Sequence, residues 1–90
     1  MKISDKKREK ISEQILAFLY SNNPKSLFTS HIAREIARDE EFMKKLLINL
    51  KSKKLIIEIK KNPKGNVYLR RSRWRLSDRT YLTYKKLNEN

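Results

Sequence analysis

The chain has 90 residues, no cysteine and a formal net charge of +13, with 23 basic and 10 acidic side chains. That length leaves room for one domain, which we expect to span residues 1–90. Without cysteine, disulfides and thiolate metal sites are excluded, and we expect a reducing, cytoplasmic setting. No apolar run approaches 18 residues, so neither a signal peptide nor a membrane partner is expected.

The positive charge is concentrated in the second half of the chain. Residues 1–45 carry 10 basic and 7 acidic side chains, whereas residues 46–90 carry 13 and 3. Lysine-rich surfaces also serve solubility or ion-pair networks, but such networks need matching acids, which the second half lacks. The charge therefore indicates a polyanionic partner, because cations that neutralise phosphates release condensed counterions.

Three helices are expected in the first 53 residues. Apolar residues at helical spacing predict helices over 5–21, 29–37 and 39–53. Ser4 or Asp5, Thr29 or Ser30, and Asp39 are the expected N-caps of these helices. Pro24 ends the first helix, and the turn between the second and third is short enough for a helix-turn-helix. The third helix is expected to bury Met43, Leu46, Leu47 and Leu50.

A β-hairpin is predicted over residues 55–76. Its first strand is rich in β-branched residues, the turn 62–66 holds the only glycine, and the second strand ends at Leu76. Because side chains alternate between the two faces of a strand, Trp74 and Leu76 are expected to point inward. Arg71, Arg73 and Arg75 are then expected to point outward as a row. Ser77 or Asp78 is the expected cap of a last helix over 78–88, although its tyrosines and threonines also suit a strand. The fold class is therefore mainly α with a small β-hairpin (α+β).

Several short motifs resemble the winged helix-turn-helix DNA-binding domains of small prokaryotic transcription regulators. They are Ile32-Ala33 followed by Ile36, the stripe of Met43, Leu47 and Leu50, Leu55-Ile56 at the start of the hairpin, and Trp74-Arg75-Leu76-Ser77 at its end. The resemblance covers residues 8–87. It implies a three-helix core, a two-stranded wing, a C-terminal helix and sequence-specific binding of double-stranded DNA.

Two positions depart from the family's pattern. Lys54 stands where the family usually has a glycine with positive φ, and Arg38 stands where the turn usually buries an apolar residue. A lysine in place of that glycine costs about 1 kcal/mol.

The resemblance places the third helix in the major groove as the recognition helix. Its outward face carries Glu41, Lys45, Ile48, Asn49 and Ser52, with Lys44 on the flank. The expected DNA contacts among them are Glu41, Lys44, Lys45, Ile48 and Asn49. The lysines are expected to reach phosphates or a guanine edge, and Asn49 to form a bidentate hydrogen bond with adenine. Ile48 is expected to contact a thymine methyl, and Glu41 to accept a hydrogen bond from cytosine N4. The alternative is a solvated face without base contacts, which the acids at 39–41 favour because they repel phosphate.

The wing is the second expected DNA contact. Its seven basic residues are Lys60, Lys61, Lys64, Arg70, Arg71, Arg73 and Arg75, with no acid among residues 60–75. Arginines on a hairpin suit phosphates and narrow minor grooves. Protection of an exposed sheet edge is the alternative, since charged side chains there prevent aggregation.

Nothing in the sequence indicates catalysis. There is no phosphate-binding glycine loop and no metal-ligand spacing, so we expect no enzyme activity, metal or cofactor. His31 is expected at the surface and Trp74 in the core, with base stacking as its alternative. RNA and a protein partner are alternatives to DNA. Tyr81 and Tyr84 are expected to pack within the chain or in a homodimer formed through the first and last helices.

Overall fold

The computed structural model describes residues 4–60 and 71–89. In chain order the elements are α1 (Asp5–Asn22), β1 (Leu27–Phe28), α2 (Thr29–Ile36), α3 (Glu40–Ser52), β2 (Ile56–Ile59), β3 (Arg73–Leu76) and α4 (Asp78–Asn88). The predicted hairpin turn at 62–66 lies outside the described residues. The four helices and the small sheet confirm the predicted α+β class.

Three helices begin at a side chain that accepts a hydrogen bond from the first turn, which satisfies one of the free N–H groups there. These bonds run from Lys7 N to Ser4 Oγ (3.3 Å), from Phe42 N to Asp39 Oδ2 (3.1 Å) and from Thr80 N to Ser77 Oγ (3.2 Å). The starts of α1, α3 and α4 therefore follow from local cap chemistry.

The start of α2 differs from the prediction. Its N-cap is Phe28, and no side chain accepts a hydrogen bond from its first turn. Thr29 is instead buried as the first residue of the helix, where its Oγ1 accepts a 2.8 Å hydrogen bond from the indole Nε1 of Trp74. The expectation that Thr29 or Ser30 caps α2 is therefore wrong, because the threonine hydroxyl serves a tertiary contact.

The sheet has three antiparallel strands in the order β1-β3-β2. Trp74 of β3 lies opposite Leu27 of β1 on one side and opposite Glu58 of β2 on the other. The predicted two-stranded wing is thus extended by β1, a strand of two residues that is too short to show alternation in the sequence. As a result β3 is the centre strand of the sheet.

The core lies between α1, α2, α3 and the inner face of the sheet. Trp74 and Leu76 are 0% exposed, and the predicted apolar stripe of α3 is buried along its whole length. The buried apolar residues are Ile11, Ile15, Leu16, Leu19, Leu27, Ile32, Ala33, Met43, Leu46, Leu47, Leu50, Ile56, Trp74 and Leu76. The inward direction predicted for Trp74 and Leu76 is confirmed, and burial excludes Trp74 from stacking on a base.

Two residues other than glycine adopt positive φ where helices end. Ala37 has φ 61° after α2, and Lys54 has φ 62° after α3. Lys54 stands at the position where the resemblance implied a glycine, and the backbone takes the conformation that glycine favours. A lysine there costs about 1 kcal/mol relative to glycine. Arg38, the other departure, is exposed, and its N–H donates to the carbonyl of Ala33 at 3.0 Å.

We predict that Thr29→Val lowers the free energy of unfolding by about 1–3 kcal/mol, because the Trp74 indole N–H loses its acceptor in the core. Chemical denaturation followed by tryptophan fluorescence measures the loss. Thr83→Val is the matched control, since that hydroxyl donates to the carbonyl of Arg79 on the exposed side of α4. We expect the control to change stability by less than about 0.5 kcal/mol. Equal losses in the two variants would contradict the prediction.

Candidate nucleic-acid interface

The five predicted recognition residues all lie exposed along one face of α3. They are linked by helical spacing of three or four residues, so neighbouring side chains form a continuous strip. Ile48 is 50% exposed, so the strip includes an apolar side chain that is accessible to a partner. The strip of Glu41, Lys44, Lys45, Ile48 and Asn49 therefore presents charged, amide and apolar groups together.

The two ends of this strip border different recesses. Lys44 lines a cleft of about 200 Å³ between α3, the start of α2 and the segment before β3. Asn49 lines a groove of about 480 Å³ between α1 and α3, where Arg8 and Glu9 form part of the opposite wall. The strip thus joins a side that faces the wing to a side that faces α1.

The cleft beside Lys44 has the features of an anion site. Lys44 from α3 and Arg71 from the segment before β3 both line it, together with Ser30 at the start of α2. The N-cap of α2, Phe28, makes no side-chain cap hydrogen bond, and the first residues of the helix line this cleft near the positive end of the helix dipole. Glu40 is the acid on its wall. Two cations, hydroxyl groups and one carboxylate therefore line a cleft at the start of a helix.

The wing arginines of β3 lie on the face opposite Trp74 and Leu76, as alternation predicts, but Arg73 and Arg75 are partly buried there. Arg71 is exposed, with its guanidinium carbon 5.7 Å from the centre of the Phe28 ring. Arg73 is half-buried and stacks on the same ring at 4.8 Å. The Arg75 Nη1 donates to the carbonyl of Leu76 at 3.0 Å and lies 3.4 Å from Asp78 Oδ1. Alternation predicted the correct face of β3, but these side chains pack against neighbouring elements there.

The pairing of β3 accounts for part of this burial. Because β1 pairs with β3 at Arg73 and Trp74 on the side opposite β2, Arg73 lies inside the sheet, and edge protection does not account for it. Arg75 lies beyond the two residues of β1. Lys60 is exposed at the end of β2. The other predicted wing cations, Lys61, Lys64 and Arg70, lie outside the described residues.

A polar contact at the base of the wing was absent from the sequence-based prediction. Lys51 Nζ donates to Glu58 Oε1 at 2.7 Å, and Ser72 Oγ donates to Glu58 Oε2. The contact joins the last turn of α3 to β2 and to the segment that leads into β3. A signal was present in the sequence, since Glu58 is the sole acidic residue between Phe42 and Ser77.

The environment of Glu58 favours its charged form. Partial burial alone raises the pKa of its carboxyl group. The hydrogen bonds from Lys51 and Ser72, together with the positive charges of Lys51 and Lys60, outweigh burial and leave the pKa below its ordinary value of 4.5. Glu58 is therefore ionised at neutral pH.

The aromatic residues of α1 and α4 pack on each other within the chain. The Tyr20 ring lies 5.6 Å from the ring centres of both Tyr81 and Tyr84. Burial and the nearby Glu13 raise the pKa of Tyr84. Leu82 and Leu87 on α4 are exposed large apolar side chains. The tyrosines thus have an intramolecular role, and the leucines are the apolar groups that α4 presents outward.

Within residues 4–60 and 71–89, no helix is long and apolar enough to cross a membrane. The same residues contain no group of three or more histidine, aspartate or glutamate side chains that could hold a metal ion. His31 is exposed, and its ring meets that of Phe18 edge-on at 5.8 Å.

Comparison with known proteins identifies the fold through solved structures. No protein-family model matches the chain, and no curated protein matches it. The complex of S. aureus MepR with DNA has a TM-score of 0.70 at 24% identity, covering 92% of this chain and 68% of that chain. Lactococcus lactis ZitR has a TM-score of 0.70 at 18% identity, covering 91% of this chain and 57% of that chain.

A third similar structure matches in length as well as in fold. A candidate DNA-binding protein from Ralstonia eutropha has a TM-score of 0.66 at 14% identity, covering 89% of this chain and 96% of that one. By contrast, this chain spans 56% of the length of another MepR chain. Together with the element order, these similarities show that the chain has a winged-helix fold.

We predict that the stability contributed by Glu58 depends on pH. Since its pKa is lower in the folded protein, its contribution is fully present above the ordinary pKa of 4.5 and is lost as the pH falls through the lowered value. Denaturant unfolding from pH 7 to pH 3 should show Glu58→Gln less stable than the natural chain at pH 7, with the difference shrinking below pH 4.5. A difference that stays constant over this range would contradict the prediction.

Proposed function

We propose that this protein binds double-stranded DNA as a small transcriptional regulator, with α3 in the major groove and the wing on the adjacent backbone. The observation that carries the proposal is the cleft where Lys44 of α3 and Arg71 of the wing meet the uncapped start of α2. Backbone N–H groups, a hydroxyl and two cations suit a phosphate group. A phosphate held there would lie between the helix and the wing.

The exposed strip of α3 supplies the proposed base contacts. The Asn49 amide has a donor and an acceptor that complement the N7 acceptor and N6 donor of adenine in the major groove. Ile48 offers apolar contact to a thymine methyl. Lys45 would reach a phosphate or guanine, and Glu41 would accept from cytosine N4. These roles require α3 to enter the groove with this strip facing the bases.

The wing cations have two different proposed roles. Arg71 and Lys60 are exposed and would contact phosphates, as would Lys61, Lys64 and Arg70. Arg73 and Arg75 would instead brace the sheet through Phe28 and Asp78. The structure of MepR with DNA supports a duplex partner, since that protein has the same fold.

We also propose that two copies act together, joined through α1 and α4. Leu82 and Leu87 support this arrangement, because they expose large apolar surface next to the packed tyrosines. Two half-sites would increase the specificity that one small module provides. The proposed role is binding in the cytoplasm, at the nucleoid, and not catalysis.

The phosphate cleft predicts that Arg71→Gln weakens binding to every duplex alike. We expect about a tenfold loss of affinity, and a slope of log affinity against log salt that is smaller by about 0.9, corresponding to one phosphate. Fluorescence anisotropy on a random duplex at several salt concentrations measures both. Arg79→Gln is the matched control, because Arg79 is an exposed arginine on α4 that is absent from the cleft.

Three outcomes would count against the proposal. Equal losses in Arg71→Gln and Arg79→Gln would mean that net charge, and not the cleft, sets the affinity. Single-stranded RNA that displaces duplex DNA at equal concentration would favour RNA as the partner. Weak binding of both nucleic acids at moderate salt would point to a protein partner.

The strip on α3 predicts that Asn49→Ala changes sequence preference. After a site is selected from a random duplex library, the variant should lose about 1–3 kcal/mol of discrimination at one base pair. Affinities for a panel of single-base substitutions in the selected site measure this loss. An unchanged preference at every position would exclude base reading by Asn49.

A further inference from the structure

One acid lies at the base of an otherwise basic wing. Glu58 is the sole acidic residue in a stretch that begins after Glu41 and ends before Asp78. A carboxylate beside bound phosphates repels them, so it weakens the attraction that the surrounding cations provide. An acid at this position therefore needs a role that outweighs its electrostatic cost.

Both carboxylate oxygens of Glu58 are engaged. Lys51 on the last turn of α3 donates to one oxygen, and Ser72 before β3 donates to the other. The Glu58 side chain is only 11% exposed, whereas that of Lys51 is 50% exposed. The partly buried acid thus joins its own strand to groups from two other segments, and one donor of the Lys51 ammonium group is committed to it.

The Glu58 contact lies further along the wing than the backbone hydrogen bonds that attach the wing to the helices. Backbone hydrogen bonds from Leu55 N to Leu50 O and from Ser77 N to Leu55 O, both 3.1 Å, hold the wing where β2 begins. Glu58 lies three residues further along β2, towards the segment 61–70. The contacts of Glu58 add a side-chain connection between α3 and the strands beyond Leu55, where β2 and β3 pair.

We propose that Glu58 is a positioning residue, which sets the angle between the recognition helix and the wing through Lys51 and Ser72. The proposal rests on the proposed function, because the angle matters only when α3 and the wing bind one duplex together. With the angle fixed, base contacts and phosphate contacts form in a single register. Without it, the wing still attracts phosphates, but its contacts are no longer tied to the register that α3 reads.

The test uses substitutions that change net charge in opposite directions. Glu58→Met removes one negative charge and Lys51→Met removes one positive charge, and each breaks the contact from one side. Glu35→Met on α2 and Lys53→Met after α3 are the matched controls, since both residues are exposed and carry the same charges. The readout is discrimination, the ratio of affinities for a duplex selected by the natural protein and a scrambled duplex of equal composition.

We expect both Glu58→Met and Lys51→Met to lower discrimination by about threefold to tenfold, with the controls unchanged. A pure charge effect predicts another pattern. Binding to both duplexes would then strengthen in Glu58→Met and weaken in Lys51→Met, with discrimination constant in each. That second pattern would overturn the proposal. Circular dichroism melting identifies any variant that fails to fold. If Glu58→Met does not fold, the discrimination measured for Lys51→Met tests the proposal alone.

A measurement on the free protein separates this proposal from the proposed function. Residual dipolar couplings of backbone amides report the orientation of β2 and β3 relative to α3. We expect Glu58→Met and Lys51→Met to change this orientation or broaden its range, and the controls to preserve it. An unchanged orientation would overturn the positioning role even if DNA binds. Failure of the natural protein to select any duplex would instead overturn the proposed function, and these couplings would still decide whether Glu58 sets the angle.

Discussion

The hydrogen bond from the Trp74 indole to the Thr29 hydroxyl connects residues 45 positions apart and fixes the centre of the sheet to the start of α2. Trp74 also lies in register with Leu27 and Glu58, so one buried side chain locates β1, β2 and α2 together. The bond affects the surface as well. The Thr29 hydroxyl is engaged in the core and does not cap α2, and Thr29 and Ser30 at the start of that helix line the cleft beside Lys44.

The centre position of β3 changes what its arginines can do. On an edge strand, Arg73 would extend into solvent, where long side chains have many conformations. Beside β1 it stacks on Phe28, while Arg75, beyond the end of β1, contacts the first turn of α4. Both side chains thereby contact elements at the base of the wing. In the proposed function their charge would still contribute to long-range attraction of a polyanion, and the more exposed cations would make the direct phosphate contacts.

Local rules predicted much of this fold. Ser4, Asp39 and Ser77 marked helix starts because a cap acts within three residues of itself. The apolar spacing of α3 identified its buried side and hence its exposed strip. The unpredicted features are all tertiary. Strand β1 has two residues, Thr29 pairs with a distant tryptophan, and the partners of Glu58 lie 7 and 14 residues away. Contacts of this kind leave no periodic pattern, although a lone acid in a basic stretch is a usable signal.

The basic charge and the contacts of Glu58 act over different distances. At physiological salt the field of an exposed cation decays over about 8 Å, so the many lysines and arginines attract any polyanion with little regard to its sequence. Reading a sequence instead requires side chains to be placed relative to one another within fractions of an ångström. A hydrogen-bonded carboxylate supplies that placement at the cost of one unfavourable charge. In the proposed function, a surface with cations alone would bind duplexes more tightly and distinguish them less well, so an acid at the wing base would favour discrimination at the expense of affinity.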